Sequence, residues 1–226
     1  MELGYWGIKG VVEPVRWLIG YIGAEVRFYT PKTVEEWYDQ KIHEINFHFP
    51  TLPYLKDDKT TITDIHAIAY YVCYKTNRSD LLGMDYLEMT NCRQLEGVLT
   101  DVRREIYRVI FDPSVDHPDE WRRSTNPQSI IYQKLDYIEK FLKGKQFILG
   151  HLTLIDFQLA YHYELLSVVS QSLGLPNPVP EGMENIRKLS KRILDLPCTK
   201  GRGEVPYFPE GMVQFKLRTQ KEANIW

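Results

Sequence analysis

"LGYWGIKGVVEPVRWL", Leu3 to Leu18, joins a short apolar run ending in Tyr5-Trp6 to a glycine-flanked loop, Gly7 to Gly10, and then to a helix with Pro14 in its first turn. A strand, a tight turn and a helix start in succession bring backbone N–H groups and a side chain to one spot. A phenol, with a pKa of about 10, is a poor base there but a good fixed hydrogen-bond donor. On this stretch alone Tyr5 reads as a cap on the edge of a core, or as a donor aimed at something bound.

Gly23 closes that helix, and Glu25 to Tyr29 ("EVRFY") alternates as a strand does. "TVEEWYDQKI" carries its acids early at helical spacing, and "TLPYLKDDKTTIT" reads as a hairpin turning at Asp57-Asp58. From Asp64, "DIHAIAYYVCYK" is a helix with an acidic start and a basic end, which suits its dipole. The order over residues 1–82 is βαβ, helix, ββα. Beyond it the pattern turns helical in period, and no strand is expected from Tyr86 to Leu196. One long helix begins at Tyr86 and stops at Asp112-Pro113. A loop is expected over 112–127, where Pro113, Pro118 and Pro127 fall. Two further helices close at Gly144 and Gly174, and a short one over 181–194 precedes an irregular tail. In "GHLTLIDF", Thr153 can N-cap a helix and Asp156 can reach back to the cap N–H, a capping box with Asp in place of Glu. The chain thus reads as an α/β domain, 1–82, and an all-helical domain, 83–226, with an extended tail.

A length of 226 residues suits one large domain or two small ones. With 43% hydrophobic and 26% charged residues and a net charge of −2, the composition argues against a nucleic-acid or polybasic membrane role. No stretch approaches the ~18 apolar residues of a membrane span, and a basic-then-apolar leader is missing from the N-terminus. Cys73, Cys92 and Cys198 are far apart and show no metal or redox spacing, so no metal is expected and the setting is a reducing, cytoplasmic one.

"LGYWGIKG" resembles the opening of the mu class of cytosolic glutathione transferases, and "EPVRWL" the first helix of their sigma and alpha classes. "EEWYDQK", "FPTLPYL" and "GHLTLIDF" are similar to a Trp–Lys pair, a Leu-Pro turn and a helical-domain capping box of the same family, and come in the family's order. The likeness runs to about Tyr207 and leaves the tail, with "FKLRTQKEANIW", unmatched. It implies an α/β plus all-α fold, with a thioredoxin-like N-terminal domain followed by a helical bundle. It also implies glutathione as co-substrate, a hydrophobic electrophile as second substrate, a role in detoxification, and a cytoplasmic dimer of like or related chains. An isomerase that uses glutathione falls within the same resemblance.

By that resemblance Tyr5 is the catalytic residue. Glutathione's thiol is mostly protonated at neutral pH; a phenol O–H donated to the sulfur favours the thiolate, which is the nucleophile. Trp6, Trp37 and Lys41 resemble the residues that grip the tripeptide's glycine end, and Val11 is counted with the substrate-binding set. Trp37 reads also as a core anchor for the second helix. Leu52 precedes Pro53, which the family implies is cis, and the turn offers the Leu52 N–H and C=O to the cysteinyl backbone like an added strand. At the start of the third helix the family has Gln-Ser or Glu-Ser, whereas this chain has Asp64-Ile65. Ile65 keeps a backbone donor and loses the hydroxyl that meets the γ-glutamyl carboxylate. Asp64 either pairs with the ligand's amino group or is a plain N-cap. Thr51 replaces a mu-class asparagine.

In the second domain Asp101, with Arg103, falls where the mu class reaches the partner subunit's glutathione, or else faces solvent. Phe111 stands where a tyrosine would assist some electrophiles, and can only pack against them. The loop 112–127 and Tyr207-Phe208 are expected to wall the electrophile pocket. Ile65, Phe111 and the unmatched tail keep a second reading open: a catalytically weak or inactive module of this fold within a larger assembly.

Overall fold

The computed structural model describes residues 1–45, 47–112, 114, 116–179, 182–200 and 205–208, and the chain divides into two compact units. The first comprises Met1–Ser79 and Pro197–Tyr207. Its sheet has the order β2-β1-β3-β4, built from β1 (Glu2–Gly4), β2 (Arg27–Tyr29), β3 (Tyr54–Lys56) and β4 (Thr61–Thr63). β1 runs parallel to β2 and antiparallel to β3, and β3 and β4 form the expected hairpin. A parallel pair needs a crossover, and α1 (Glu13–Ile22) supplies it between β1 and β2. Pro14 sits in its first turn, where a missing N–H costs nothing, and Gly23 ends it in the left-handed region at φ 73°.

Trp17 and Leu18 of α1 are buried, as are Ile68, Ala69 and Val72 of α3 (Ile65–Lys75), and α1 packs on α3. Gly4 pairs with Tyr54, whose ring lies where a side chain on residue 4 would be. Only a glycine there lets the ring lie across the central strand. The helix expected over "TVEEWYDQKI" is a π-helical turn, Glu36–Lys41, continued by α2 (Ile42–Glu44).

The hairpin is tied to α3 through one carboxylate. Asp57 Oδ1 accepts the N–H groups of Lys59 (2.8 Å) and Thr60 (3.1 Å), and Oδ2 accepts the Tyr71 hydroxyl and the Lys75 ammonium. Lys75, then Tyr71, hold the Asp57 carboxyl well below the usual carboxylate range. A depressed folded-state pKa stabilises the fold above the unfolded value of about 3.9, and that stability is lost as pH falls through the folded value. Asp57→Asn is therefore expected to cost about 1–2 kcal/mol at pH 7. In urea denaturation the gap from the natural chain should close as the pH drops below about 4.

The second unit comprises Asp80–Leu196 together with Phe208. Its helices are α4 (Tyr86–Phe111), α5 (His117–Ser124), α6 (Ile130–Phe141), α7 (Leu154–Ser172) and α8 (Glu184–Leu194), and no strand occurs among its described residues. Leu99, Val102, Ile106 and Val109 of α4 are buried, as are Phe157, Leu159, Leu165 and Leu166 of α7, and these two helices pack together.

The expected 112–127 loop is corrected by α5. Asp116 caps it through Asp119 N–H (3.2 Å), and Pro118 falls in the first turn, where proline starts a helix instead of breaking it. Trp121 anchors α5 to α7, its indole N–H donating to Ser170 Oγ at 2.8 Å in a buried site. Arg108 of α4 bridges Glu105 and Glu120.

The expected boundary at 82/83 also differs. The division falls at Ser79/Asp80, and residues 197–207 return to the first unit. The short helix α9 (Pro197–Lys200) lies against α1, where a methyl group on Gly20 would stand 3.2 Å from Cys198 Cβ. Gly20, which has no side chain, lets α9 lie close against α1.

Candidate functional site

The sheet register sets Tyr29, Gly4, Tyr54 and Thr63 in one row. The residues just beyond that row gather at one end of the sheet: Tyr5 and Trp6 after β1, Leu52 and Pro53 before β3, and Asp64 and Ile65 after β4. Lys41 carries its ammonium 4.6 Å above the Tyr29 ring and 3.5 Å from Glu44. Tyr29 in turn donates to Glu36 Oε1 at 2.5 Å, fixing the ring under that cation.

Tyr5 extends β1 by one bond, its N–H donating to Tyr29 O at 3.0 Å. Its side chain is only 2% exposed. The hydroxyl lies against Gly10, where a Cβ would come within 2.5 Å of it, and Gly10 holds φ at +50°, a conformation glycine adopts at little cost. Arg16 was missed as a site residue. Its buried guanidinium donates to Ile8 O (2.8 Å), Lys9 O (3.4 Å) and Trp6 O (3.5 Å), pairs with the buried Glu13 carboxylate (3.2 Å), and lies 5.6 Å from the Tyr5 ring centroid. One side chain thus fixes the whole turn between β1 and α1. The signal was in "EPVR": an acid and a base three apart at the start of an otherwise apolar helix. Val11 lies half-buried in the 3-10 turn Gly10–Val12 that enters α1.

Trp37 is 2% exposed, stacked on Tyr54 (centroids 5.9 Å) and edge-on to Phe47 (5.7 Å), so its ring is a core anchor. Trp6 and Leu52, both partly buried, pack on that cluster. The Leu52–Pro53 bond is cis.

Asp64 is the N-cap of α3, with Oδ1 accepting from His66 N–H (2.9 Å) and Ala67 N–H (3.1 Å). It does so at φ 76°, ψ 132°. A residue other than glycine pays about 1–3 kcal/mol for such a conformation, which tends to be held at functional turns. Ile65, 8% exposed, begins the helix and brings no polar side-chain atom to its N-terminus.

In the second unit Asp101 pairs with Lys134 of α6 at 3.0 Å. Phe111 stacks edge-on with Tyr107 (5.3 Å) and Phe208 (5.9 Å). Burial pushes the Tyr107 phenol pKa up, and its hydroxyl lies 3.4 Å from that of Tyr161. Phe208 of the expected wall therefore joins an aromatic cluster, while Tyr207 belongs to the first unit. Pro113 and "FKLRTQKEANIW" (215–226) lie outside the described residues. Among the described residues no cluster of three or more His, Cys, Asp or Glu side chains could hold a metal, and no helix is long and apolar enough to cross a membrane.

A sheet of this order, with a cis-proline turn before β3 and a helix start after β4, joined to an all-helical unit, defines a thioredoxin-like domain fused to a helical one. A family model described as the glutathione S-transferase N-terminal domain matches residues 1–73. A glutathione S-transferase class-mu 26 kDa isozyme of Schistosoma japonicum is 31% identical over 170 residues, covering 74% of this chain and 72% of that protein. Its counterpart from Schistosoma mansoni is 26% identical over 207 residues, covering 91% and 97%. The solved structure of NaGST-2 shares the fold, with a TM-score of 0.70 at 21% identity over 89% of this chain and 94% of that one. The chain belongs to the glutathione S-transferase family, mu-like, whose members use glutathione as co-substrate.

Proposed function

We propose that the sheet end bounded by Tyr5, Trp6, Val11, Lys41, Leu52, Asp64 and Ile65 takes glutathione, and that Tyr5 donates to its sulfur so that the thiolate attacks a hydrophobic electrophile. The observation that supports this reading is the register: with Tyr29, Gly4, Tyr54 and Thr63 in one row, Tyr5, Trp6, Leu52, Asp64 and Ile65 adjoin the strands at the same end of the sheet. Lys41 is the cation for the glycine carboxylate, the Leu52 backbone pairs with the cysteinyl unit, and the start of α3 meets the γ-glutamyl carboxylate with N–H groups and its dipole. Trp37 holds this floor from below. Asp101 would serve a second copy's ligand with the oxygen that Lys134 leaves free, and Phe111 offers an electrophile a ring face without a hydroxyl. A dimer of like or related chains in the cytoplasm suits this reading, and none of the three cysteines is in a disulfide.

A second reading, a binding module with reduced turnover, is favoured by one observation: the Tyr5 phenol is only 2% exposed. Retention on immobilised glutathione with turnover of a chloronitrobenzene supports the transferase; retention without turnover supports the module. The position of the ligand is tested by Ile65→Ser. A hydroxyl bonded to a carboxylate is worth about 1.5–3 kcal/mol, so glutathione affinity by calorimetry should rise about tenfold or more. An unchanged affinity in a folded variant means the carboxylate is not at the start of α3.

A further inference from the structure

A cleft of about 810 Å³ opens in the second unit beside α8 and takes no part in the chemistry proposed above. Ligand clefts run to about 300–1,000 Å³. Among the described residues, Arg187, Lys188 and Lys191 of α8 line it, with Tyr163 of α7 and Leu194. Positions 187, 188 and 191 span little more than one helical turn, so three cations stand together on one face. The opposite face of α8, with Ile186, Leu189 and Ile193, is buried and holds the helix in place. In a chain of net charge −2 this is a local excess of positive charge.

Two of the three cations have partners. Lys188 pairs with Glu184 at 2.6 Å and Lys191 with Asp195 at 2.8 Å, each four residues along the chain. All four side chains are largely exposed, where such pairs contribute little and exchange readily. Arg187 is in no ion pair among the described residues. Its guanidinium is a planar fork of N–H donors, matched to two oxygens of one anionic group. With an ammonium above and another beside it, the wall offers donors for a third oxygen and for more than one negative charge. That is the demand of a phosphate monoester, which has three terminal oxygens and a charge of about −1.5 to −2 at pH 7. The cleft is far larger than a phosphate group. Tyr163 adds an aromatic ring and Leu194 an apolar chain, which suit a flat ring system.

We propose that this cleft is a second binding site, for a small soluble phosphate monoester with a flat aromatic body, of which a nucleoside monophosphate is the simplest kind. Arg187 takes two phosphate oxygens, Lys191 and Lys188 turn from their carboxylates to the third, and the ring system lies against Tyr163 and Leu194. The site shares no residue with the sheet end proposed for glutathione and does not depend on that reading.

The test uses the full chain and adenosine 5′-monophosphate as probe, with adenosine and inorganic phosphate as its two halves, by titration calorimetry. The natural chain should bind the monophosphate about tenfold or more tightly than either half. Raising sodium chloride from about 50 to 500 mM should weaken that binding severalfold. Arg187→Gln and Lys191→Gln, both at exposed positions, should each lower the affinity about tenfold. Tyr163→Leu, folded by circular dichroism, should weaken the monophosphate and leave inorganic phosphate as it was. An excess of glutathione should change none of these values. The proposal falls if the natural chain does not bind the monophosphate, or if Arg187→Gln binds it as well as the natural chain does. It falls if inorganic phosphate alone binds as tightly, since the body then has no place. A tyrosine-phosphorylated peptide that binds tenfold more tightly than the monophosphate overturns it in favour of a protein partner. Displacement of the monophosphate by glutathione, with Arg187→Gln without effect, puts the nucleotide at the sheet end and removes this site while leaving the glutathione reading intact.

Discussion

Asp156→Ala is expected to destabilise the helical unit by about 2–5 kcal/mol. Asp156 is wholly buried, and so is Thr153. One carboxylate oxygen accepts Ile148 N–H at 2.9 Å; the other accepts Thr153 N–H at 2.8 Å and the Thr153 hydroxyl at 2.9 Å. The first bond fixes the loop that leads into α7, and the Thr153 N–H bond, with the Asp156 N–H donating back to the Thr153 side chain, forms the capping box that starts the helix. Alanine leaves two backbone donors without a partner where water does not reach, and each such group costs about 1–3 kcal/mol.

The pH dependence has a definite sign. Burial pushes the Asp156 carboxyl up to about 6, above the unfolded value of about 3.9. A raised folded-state pKa means the folded chain holds the proton more tightly, so the contribution is complete below the unfolded value and is lost as pH rises through about 6. Urea denaturation at pH 7 and pH 5 should therefore show a wider gap between the natural chain and Asp156→Ala at pH 5. A difference under 1 kcal/mol at both would mean that solvent reaches the cap.

That capping box was legible in "GHLTLIDF" because its chemistry is local: cap and partner are three residues apart. The same holds for the βαβ, helix, ββα order, written in alternation, Pro14, Gly23 and the Asp57 turn. Local signals failed where one residue type has two meanings. Pro118 reads as a loop marker until Asp116 is seen to cap the turn that contains it. Trp37 could grip a ligand or fill a core; only the positions of Tyr54 and Phe47 decide between them. Asp64 had the same ambiguity, and its carboxylate is used by the α3 cap. Arg16 stayed hidden because three of its partners are carbonyls, which every residue has. For the same reason no pattern announces the pairing of Lys9 and Gly10 with Pro206 and Tyr207: main chain meets main chain across almost the whole sequence. The first unit was therefore legible as a fold, but the burial of Tyr5 beside Gly10 was not.

Tyr5→Phe carries the largest expected effect on activity. The substitution removes one oxygen and keeps the ring that packs beside Arg16 and Gly10, so folding should change little. If the phenol donates to glutathione's sulfur, the bond is to a charged acceptor and is worth about 1.5–3 kcal/mol, so kcat/KM for a chloronitrobenzene should fall about ten- to a hundredfold. Glutathione affinity should fall much less if, as proposed, the tripeptide's carboxylates and backbone are held by Lys41, Leu52 and the start of α3. The pH profile separates a chemical role from a packing one. A donor that favours thiolate lowers the bound thiol's pKa, so in Tyr5→Phe the rise of kcat/KM with pH should move toward that of free glutathione. At a pH high enough to ionise the unassisted thiol, the variant should recover most of the lost rate. A mere packing defect would depress the rate equally at every pH and leave the midpoint in place. An unshifted profile with an unchanged rate would show that the sulfur meets some other donor, and the turn Gly7 to Gly10, with the N–H groups of Lys9 and Gly10, is where that donor would be sought.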